Sequence, residues 1–110
     1  MRTITITTFV LMLVAAPALA GLAATESGIK FSYTDPSAAS VHLAGEFNDW
    51  STNAAPLTND GTGTWSTIVP LEPGRYEYKF VVNGGTWMAD PDNPITGGDY
   101  GNSIVEVGPD

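Results

Sequence analysis

The sequence predicts an all-β fold, a two-sheet antiparallel β-sandwich forming a single domain. Three observations support this prediction. Apolar and polar residues alternate over several short runs, which is the period of a half-buried strand. Turn residues separate these runs, and the 110 residues include 12 glycines and 8 prolines. No window combines the helical spacing of apolar residues with helix-capping residues.

The predicted strands, in chain order, cover residues 29–33, 41–45, 64–69 and 76–82, a return strand that begins at 87–88, and residues 103–107. The run over 76–82 is the strongest, with Tyr78 and Phe80 on one face and Lys79 on the other. Before it, Pro73-Gly74 predicts a type II turn. After it, Asn83-Gly84 supplies residues that accept positive φ and therefore predicts a hairpin.

The first 20 residues have the layout of a secretory signal peptide rather than of a folded segment. Arg2 precedes an apolar run over residues 9–16, Pro17 ends that run, and Ala18-Leu19-Ala20 places small residues where a signal peptidase reads them. We therefore expect cleavage at Ala20/Gly21 and an exported protein, periplasmic or secreted. The alternative is an uncleaved N-terminal anchor, since the apolar stretch is nearly long enough to span a bilayer.

The predicted organisation is a signal peptide at 1–20, a mature N-terminal segment with the first strand at 21–39, and the sandwich domain at 40–110. With 12 acidic and 4 basic residues, the formal net charge is −8. Nucleic acid is excluded as a partner because phosphate binding needs clustered Lys and Arg, and a basic membrane-binding patch is excluded for the same reason. We expect no association with a membrane after signal cleavage.

Few residues suit metal, cofactor or catalytic chemistry. The chain has no cysteine and a single histidine, so we expect no metal site and no cofactor. Residues 90–94, Asp-Pro-Asp-Asn-Pro, predict a rigid turn rather than a calcium loop. We expect every Asp and Glu to lie in a turn or at an exposed strand position. Without a cleft holding an acid/base pair of carboxylates, the sequence predicts a protein that is not an enzyme.

The three tryptophans occupy different contexts. Trp65 lies inside an alternating strand and is expected in the core. Trp50 ends a polar loop after a strand, and Trp87 follows a glycine turn. An aromatic ring beside amides and carboxylates suits a sugar, which has apolar C–H faces and a rim of hydroxyl groups. Lys79 is a candidate donor to such hydroxyls; the alternative is a solvated lysine paired with Glu77 or another carboxylate.

Several segments occur together in a recognisable order: residues 41–51 (VHLAGEFNDWS), 56–57 (PL), 63–65 (GTW), 73–84 (PGRYEYKFVVNG), Trp87, 90–91 (DP) and 102–105 (NSIV). The sequence resembles carbohydrate-binding module family 48, which includes the glycogen-binding domain of AMP-activated protein kinase β subunits and the N-terminal domains of isoamylases and branching enzymes. The resemblance implies an immunoglobulin-like β-sandwich of the early-set type that binds α-1,4-linked glucans without catalysis.

The resemblance also implies roles for individual residues. Trp50 and Trp87 match the tryptophans that stack on glucose rings, whereas Lys79 and Asn102 match residues that hydrogen-bond the sugar. Tyr100 is expected to fill the apolar role of a leucine that animal members carry in the preceding loop. The stretch 83–87 is one residue longer than the usual turn before the second tryptophan.

The expected ligand is therefore an α-glucan polysaccharide or oligosaccharide such as glycogen, starch or a maltooligosaccharide. The expected protein is a monomeric, stand-alone carbohydrate-binding module, with a glucan-active enzyme as a further candidate partner. The alternative from another class is a protein-interaction or structural spacer domain that has the same sandwich fold without glucan binding.

Overall fold

In the computed structural model, which describes residues 21–109, the chain forms two antiparallel β-sheets packed face to face. The first sheet has the spatial order β1 (Leu22–Thr25), β2 (Gly28–Thr34), β5 (Thr64–Val69) and β4 (Thr58–Asn59). The second sheet has the order β3 (Val41–Gly45), β6 (Gly74–Val82), β9 (Asn102–Val107) and β8 (Thr96–Gly97), and β7 (Thr86–Met88) also pairs with β6. The predicted antiparallel β-sandwich is confirmed.

The alternation of apolar and polar residues places the core between the two sheets. Phe31 on β2 meets Tyr78 on β6 edge-to-face, with ring centroids 4.9 Å apart, and Tyr33 meets Phe80 at the same centroid separation. Trp65 is 9% exposed, and its Nε1–H donates to the backbone carbonyl of Asp35 at 3.1 Å. The expectation that Trp65 belongs to the core is confirmed.

The turns that flank β6 differ in how well the sequence predicts them. Asn83 and Gly84 have φ of 53° and 79°, so the predicted hairpin is confirmed and leads into β7. Gly74 has φ of 157°, far from the roughly +80° of the second central residue of a type II turn. The predicted type II turn is therefore wrong, because β6 already begins at Gly74 and the chain is extended there.

The segment 21–39 contributes two strands to the first sheet. Thr25 closes the turn between β1 and β2: its Oγ1–H donates to the Gly28 carbonyl at 2.7 Å, and the same oxygen accepts from the Gly28 amide at 3.1 Å. A side chain at Gly28 would lie 2.5 Å from the Val69 carbonyl oxygen, so only glycine allows β2 to approach β5 this closely. Because β1 and β2 make up half of the four-stranded sheet, the sandwich extends to the start of the described residues.

One edge of β6 is divided between two partner strands, and this division positions the site. β9 pairs with β6 as far as Tyr78, opposite Ser103, and β7 pairs with it from Phe80, opposite Met88. Lys79 lies at the junction between them and points to the outer face of the second sheet, away from the core. β3 occupies the other edge of β6 along Tyr78–Val82.

The predicted signal peptide at residues 1–20 lies outside the described residues. Over residues 21–109, no helix has the length and apolar character needed to cross a bilayer. In the same range, no three His, Asp or Glu side chains are grouped so that they could hold a metal ion. Residues 90–94 form a turn, in which the Asn93 amide donates to the Asp90 carbonyl at 3.2 Å.

Candidate functional site

The outer face of the second sheet carries an open concavity of about 480 Å³. Its lining residues are Glu46, Trp50, Glu77, Lys79, Trp87, Tyr100 and Asn102. The structure thus brings together all five residues that the sequence analysis selected, from the loop after β3, from β6, from β7, from the loop before β9 and from the start of β9. Glu46 and Glu77 are additional lining residues that sequence reasoning missed. The role of the five residues in binding sugar stays a prediction.

The loop that carries Trp50 is anchored to the core by Phe47. Its ring lies 5.8 Å from that of Phe31 and 6.1 Å from that of Tyr76, centroid to centroid. A side chain at Gly45 would come within 2.7 Å of the Phe47 ring and 2.8 Å of the Glu77 carbonyl oxygen. Glycine at position 45 is therefore required for the aromatic ring to fold back over the end of β3.

Asn48 fixes the course of the same loop through hydrogen bonds to the backbone. Its Oδ1 accepts from the amides of Gly45 at 3.0 Å and Ser51 at 3.3 Å, and its Nδ2 donates to the Leu43 carbonyl at 3.0 Å. Asp49 and Trp50 both adopt positive φ, of 56° and 59°, which is uncommon for residues other than glycine. These bonds stabilise that backbone conformation and so hold the half-buried Trp50 side chain at the concavity.

Trp87 reaches the concavity from β7, opposite Val81, and is 43% exposed. The hairpin that delivers it is held by Asn83, whose Oδ1 accepts from the Ala39 amide at 2.7 Å. The rings of Trp50 and Trp87 have centroids 6.5 Å apart and planes inclined at 47°. Even with the longer turn, the two tryptophans form one angled aromatic surface.

Among the described residues, Lys79 forms no ion pair with Glu77 or with another carboxylate. Its Nζ donates to the backbone carbonyl of Tyr100 at 3.0 Å, which leaves two further N–H donors on the ammonium group. The Tyr100 side chain is 80% exposed. The lysine thus connects β6 to the loop before β9 and still presents donors at the floor of the concavity.

Asn102 is 8% exposed and is oriented by Glu77. Its Nδ2 donates to Glu77 Oε1 at 3.0 Å, while Glu77 Oε2 lies 3.5 Å from a guanidinium nitrogen of Arg75. Glu46 accepts from the Glu77 amide at 2.9 Å through Oε1. Because Glu77 precedes Lys79 by two residues on the same strand, the alternation of faces could have identified it as a lining residue.

One carboxylate lies in a predicted turn and is nevertheless buried. Asp90 is 3% exposed and does not line the concavity. Burial raises the pKa of Asp90, and the hydrogen bond from the Tyr78 hydroxyl to its Oδ2, at 2.7 Å, opposes part of that rise. The pKa of the buried Tyr78 hydroxyl is raised for the same reason and by the neighbouring Asp90 charge.

The concavity therefore combines apolar ring faces with donors and acceptors that are already oriented. The tryptophans provide flat surface, the lysine provides N–H donors, and the Asn102 Oδ1 and the glutamates provide acceptors. This combination suits a ligand with both apolar faces and hydroxyl groups.

A family model described as the glycogen recognition site of AMP-activated protein kinase matches residues 28–109. Among individual proteins, the chain is 41% identical to the chloroplastic protein PTST homolog 2 of Arabidopsis thaliana over 72 residues, covering 64% of this chain and 13% of that protein. It is 38% identical to the β-1 subunit of 5′-AMP-activated protein kinase of Sus scrofa over 69 residues, covering 61% of this chain and 53% of that sequence.

A third relative is the 1,4-alpha-glucan branching enzyme GlgB of Nitratidesulfovibrio vulgaris (strain DP4), 42% identical over 60 residues that cover 54% of this chain and 9% of the enzyme. The chain thus spans about half or less of the length of these curated relatives.

Proposed function

We propose that the chain binds α-1,4-linked glucans such as glycogen, starch and maltooligosaccharides, because it belongs to the family of the glycogen recognition site of AMP-activated protein kinase. The observation that carries the proposal is the pair of tryptophan rings, 6.5 Å apart and inclined at 47°, over a concavity with oriented polar groups. The relatives support it, since one is named as a 1,4-alpha-glucan branching enzyme.

The inclined rings favour a curved ligand. A glucose unit offers an apolar C–H face that packs on an indole ring, and two rings at an angle accept two units of a bending chain better than those of a flat one. Lys79 then donates to sugar hydroxyls with its free N–H groups. Asn102 offers Oδ1 as an acceptor, and its Nδ2 is oriented by the N–H that it donates to Glu77.

The expected affinity is moderate. A ring that covers roughly 50–100 Å² of sugar surface contributes about 1–3 kcal/mol. Hydrogen bonds to hydroxyls compete with water and add about 1 kcal/mol each. Two rings and a few such bonds, set against the loss of freedom on association, predict a dissociation constant between about 1 µM and 1 mM.

Titration with maltoheptaose tests the proposal. Trp50→Ala and Trp87→Ala should each weaken binding at least about tenfold, with circular dichroism unchanged. Ile68→Ala is the matched control, because Ile68 is an apolar residue 45% exposed on the first sheet; this variant should bind like wild type. If both tryptophan variants bind maltoheptaose like wild type, the concavity is not the glucan-binding site. If the wild-type protein binds no glucan, that result favours the alternative of a protein-interaction or structural spacer domain.

We propose binding without catalysis. The two lining carboxylates already accept hydrogen bonds, Glu46 from the Glu77 amide and Glu77 from Asn102. Hydrolysis of a glycosidic bond needs two carboxyl groups on opposite sides of the scissile bond, one of them protonated. Incubation with amylose should release no reducing sugar above buffer; release that disappears in Glu46→Gln or Glu77→Gln would overturn this.

We also propose that residues 1–20 direct export and are removed after Ala20, so that a monomeric binding domain acts in the periplasm or outside the cell. A glucan-active enzyme is the proposed protein partner. The support for export is the order of charge, apolar run, proline and small residues in the sequence. Intact mass of the protein purified from its host tests this, and a mass that retains the first 20 residues contradicts it.

A further inference from the structure

A buried acidic group lies beside the expected start of the mature chain. Asp90 follows β7 and is 3% exposed. Its Oδ2 accepts from the Tyr78 hydroxyl at 2.7 Å, and its Oδ1 accepts from the Asp92 amide at 3.0 Å. Within residues 21–109, no Lys, Arg or His nitrogen lies within 4.0 Å of this carboxylate. A carboxylate buried without a counter-charge is costly, and the neighbouring Asp92 adds a like charge.

Gly21 lies directly against this carboxylate. It is buried, and its carbonyl accepts from the Ser32 amide at 2.9 Å, which fixes it at the entry to β1. A side-chain carbon placed on Gly21 would lie 3.1 Å from both carboxylate oxygens of Asp90 and 3.3 Å from the β-carbon of Asp92. By standard bond geometry such a carbon is about 2.5 Å from the residue's own nitrogen, so that nitrogen is at most about 5.6 Å from either oxygen.

We propose that Ala20–Gly21 is a processing site whose product completes the fold: the α-ammonium group that cleavage creates on Gly21 forms a buried ion pair with Asp90. The proposal rests on the proposed export of the chain. Hydrolysis by a signal peptidase consumes one water molecule, breaks the Ala20–Gly21 amide, and leaves a carboxylate on Ala20 and an ammonium group on Gly21. An amide that carries no charge thus becomes the missing cation beside Asp90.

Cleavage before the domain folds is physically reasonable. A signal peptidase cuts the chain during translocation, so Gly21 need not be accessible in the folded protein. Cleavage replaces the single N–H of the Gly21 amide with the three N–H donors of an ammonium group, beside a carboxylate whose oxygens still have acceptor capacity. An opposite charge within about 4–6 Å favours the charged form of both groups. Retained leader residues would leave Asp90 with the neutral amide.

The pair has a defined pH dependence. If the pair forms as proposed, the Asp90 charge favours the ammonium form, and we expect the pKa of the Gly21 amine to lie above its usual value of about 7.7–8.0. Its contribution to stability is therefore fully present below about pH 7.7 and is lost as the pH rises through the folded-state pKa. The groups that face the pair are the Tyr78 hydroxyl, the Asp92 carboxylate, the Asn93 amide and the Ser103 hydroxyl, which accepts from the Asp90 amide at 2.7 Å.

The experiment compares the exported, processed chain with a chain that retains residues 18–20, each with and without Asp90→Asn. Residues 21–109 contain both sheets, so each protein keeps the whole sandwich. With Asp90 present, the retained residues should raise the urea unfolding equilibrium constant at pH 6.5 about tenfold. In the Asp90→Asn background, the retained residues should change the unfolding equilibrium constant less than twofold. A mass that places the mature N-terminus elsewhere, or an equal effect in both backgrounds, overturns the proposal.

A titration of the Gly21 amine by NMR covers the case in which Asp90→Asn does not fold. In the processed wild-type chain its pKa should lie at least one unit above the usual value, which corresponds to a tenfold preference for the charged form. An ordinary value overturns the proposal. Maltoheptaose binding should be the same in all folded variants, because neither Gly21 nor Asp90 lines the concavity. Failure of the ion pair and failure of glucan binding are therefore separate results.

Discussion

Replacing Asn102 with aspartate tests how the polar side of the concavity is built. Asn102 is 8% exposed, and its Nδ2 donates to Glu77 Oε1 at 3.0 Å. In Asn102→Asp an oxygen replaces that nitrogen, so the hydrogen bond is lost and two carboxylates face each other. A bond to a charged group contributes about 1.5–3 kcal/mol, and the repulsion adds to its loss. We expect the free energy of unfolding at pH 7 to fall by about 2–4 kcal/mol.

The sign of the pH dependence identifies the cause. Two adjacent carboxylates cannot both ionise freely, so the pKa of one rises above its usual value in the folded state. A raised folded-state pKa means that the loss of stability is full at high pH and diminishes as the pH falls through that pKa. A proton on one of the two carboxyl groups also restores an O–H donor for a hydrogen bond between them. Arg75, 3.5 Å from the other Glu77 oxygen, weakens this effect without removing it.

Urea unfolding between pH 4.5 and 7.5 measures this, with maltoheptaose titration over the same range. Asn102→Ala is the matched control, because it removes the hydrogen bond without adding a charge; its loss of stability should not depend on pH. If Asn102→Asp and Asn102→Ala are equally stable at every pH, the Glu77–Asn102 contact does not organise the site as described.

Three further predictions address the core, the loop and the ligand. Trp65→Ala should lower the free energy of unfolding by about 3–5 kcal/mol through a core cavity, measured by thermal melting, while a domain that still folds keeps its glucan affinity. Asn48→Ala should lower the free energy of unfolding by about 1–3 kcal/mol and weaken maltoheptaose binding, because Trp50 is no longer held in place. Unchanged affinity would contradict the positioning role of Asn48. Binding should vary less than about twofold between low and high salt, because a neutral glucan offers no charge to a protein of net charge −8. A steep loss of affinity in salt would favour a charged partner.

Strands with a clear period-two pattern could be predicted from the sequence, and the shortest ones could not. β3 and β5 have the predicted bounds, because Gly45 ends the first run and Gly63 and Pro70 flank the second. β4 and β8 have two residues each and are defined only by their partners across the sheet. β1 reads Leu-Ala-Ala-Thr, and all four of its residues are partly exposed, so no alternation marks it. Pairing between distant segments, rather than local pattern, creates these three strands.

The same distinction applies to the site. Lys79 could be placed on the outer face because Tyr78 and Phe80 on either side of it are apolar, and Trp87 could be placed near it because the Asn83-Gly84 hairpin returns the chain. The same alternation places Glu77 on the outer face, whereas its hydrogen bond with Asn102, 25 positions away, has no local signal in the sequence.

Asp90 opens the predicted rigid turn, but its side chain is buried, which the sequence did not indicate. A local pattern does not reveal what covers a turn. Here the Tyr78 hydroxyl reaches Asp90 from the core, and Asn93 donates to that hydroxyl at 3.0 Å. The turn is thereby drawn into the interior of the sandwich.

The segment from Gly45 to Trp50 shows why a sequence motif and a binding function can separate. Gly45 is needed for close packing, Phe47 anchors the loop to the core, and Asn48 fixes the backbone by three hydrogen bonds. None of these three residues lines the concavity; of the aromatic residues in the segment, only Trp50 does. A chain that kept the three but lost Trp50 would fold the same loop and lack half of the aromatic surface. Whether a domain of this fold is a glucan binder or a spacer therefore depends chiefly on Trp50 and Trp87.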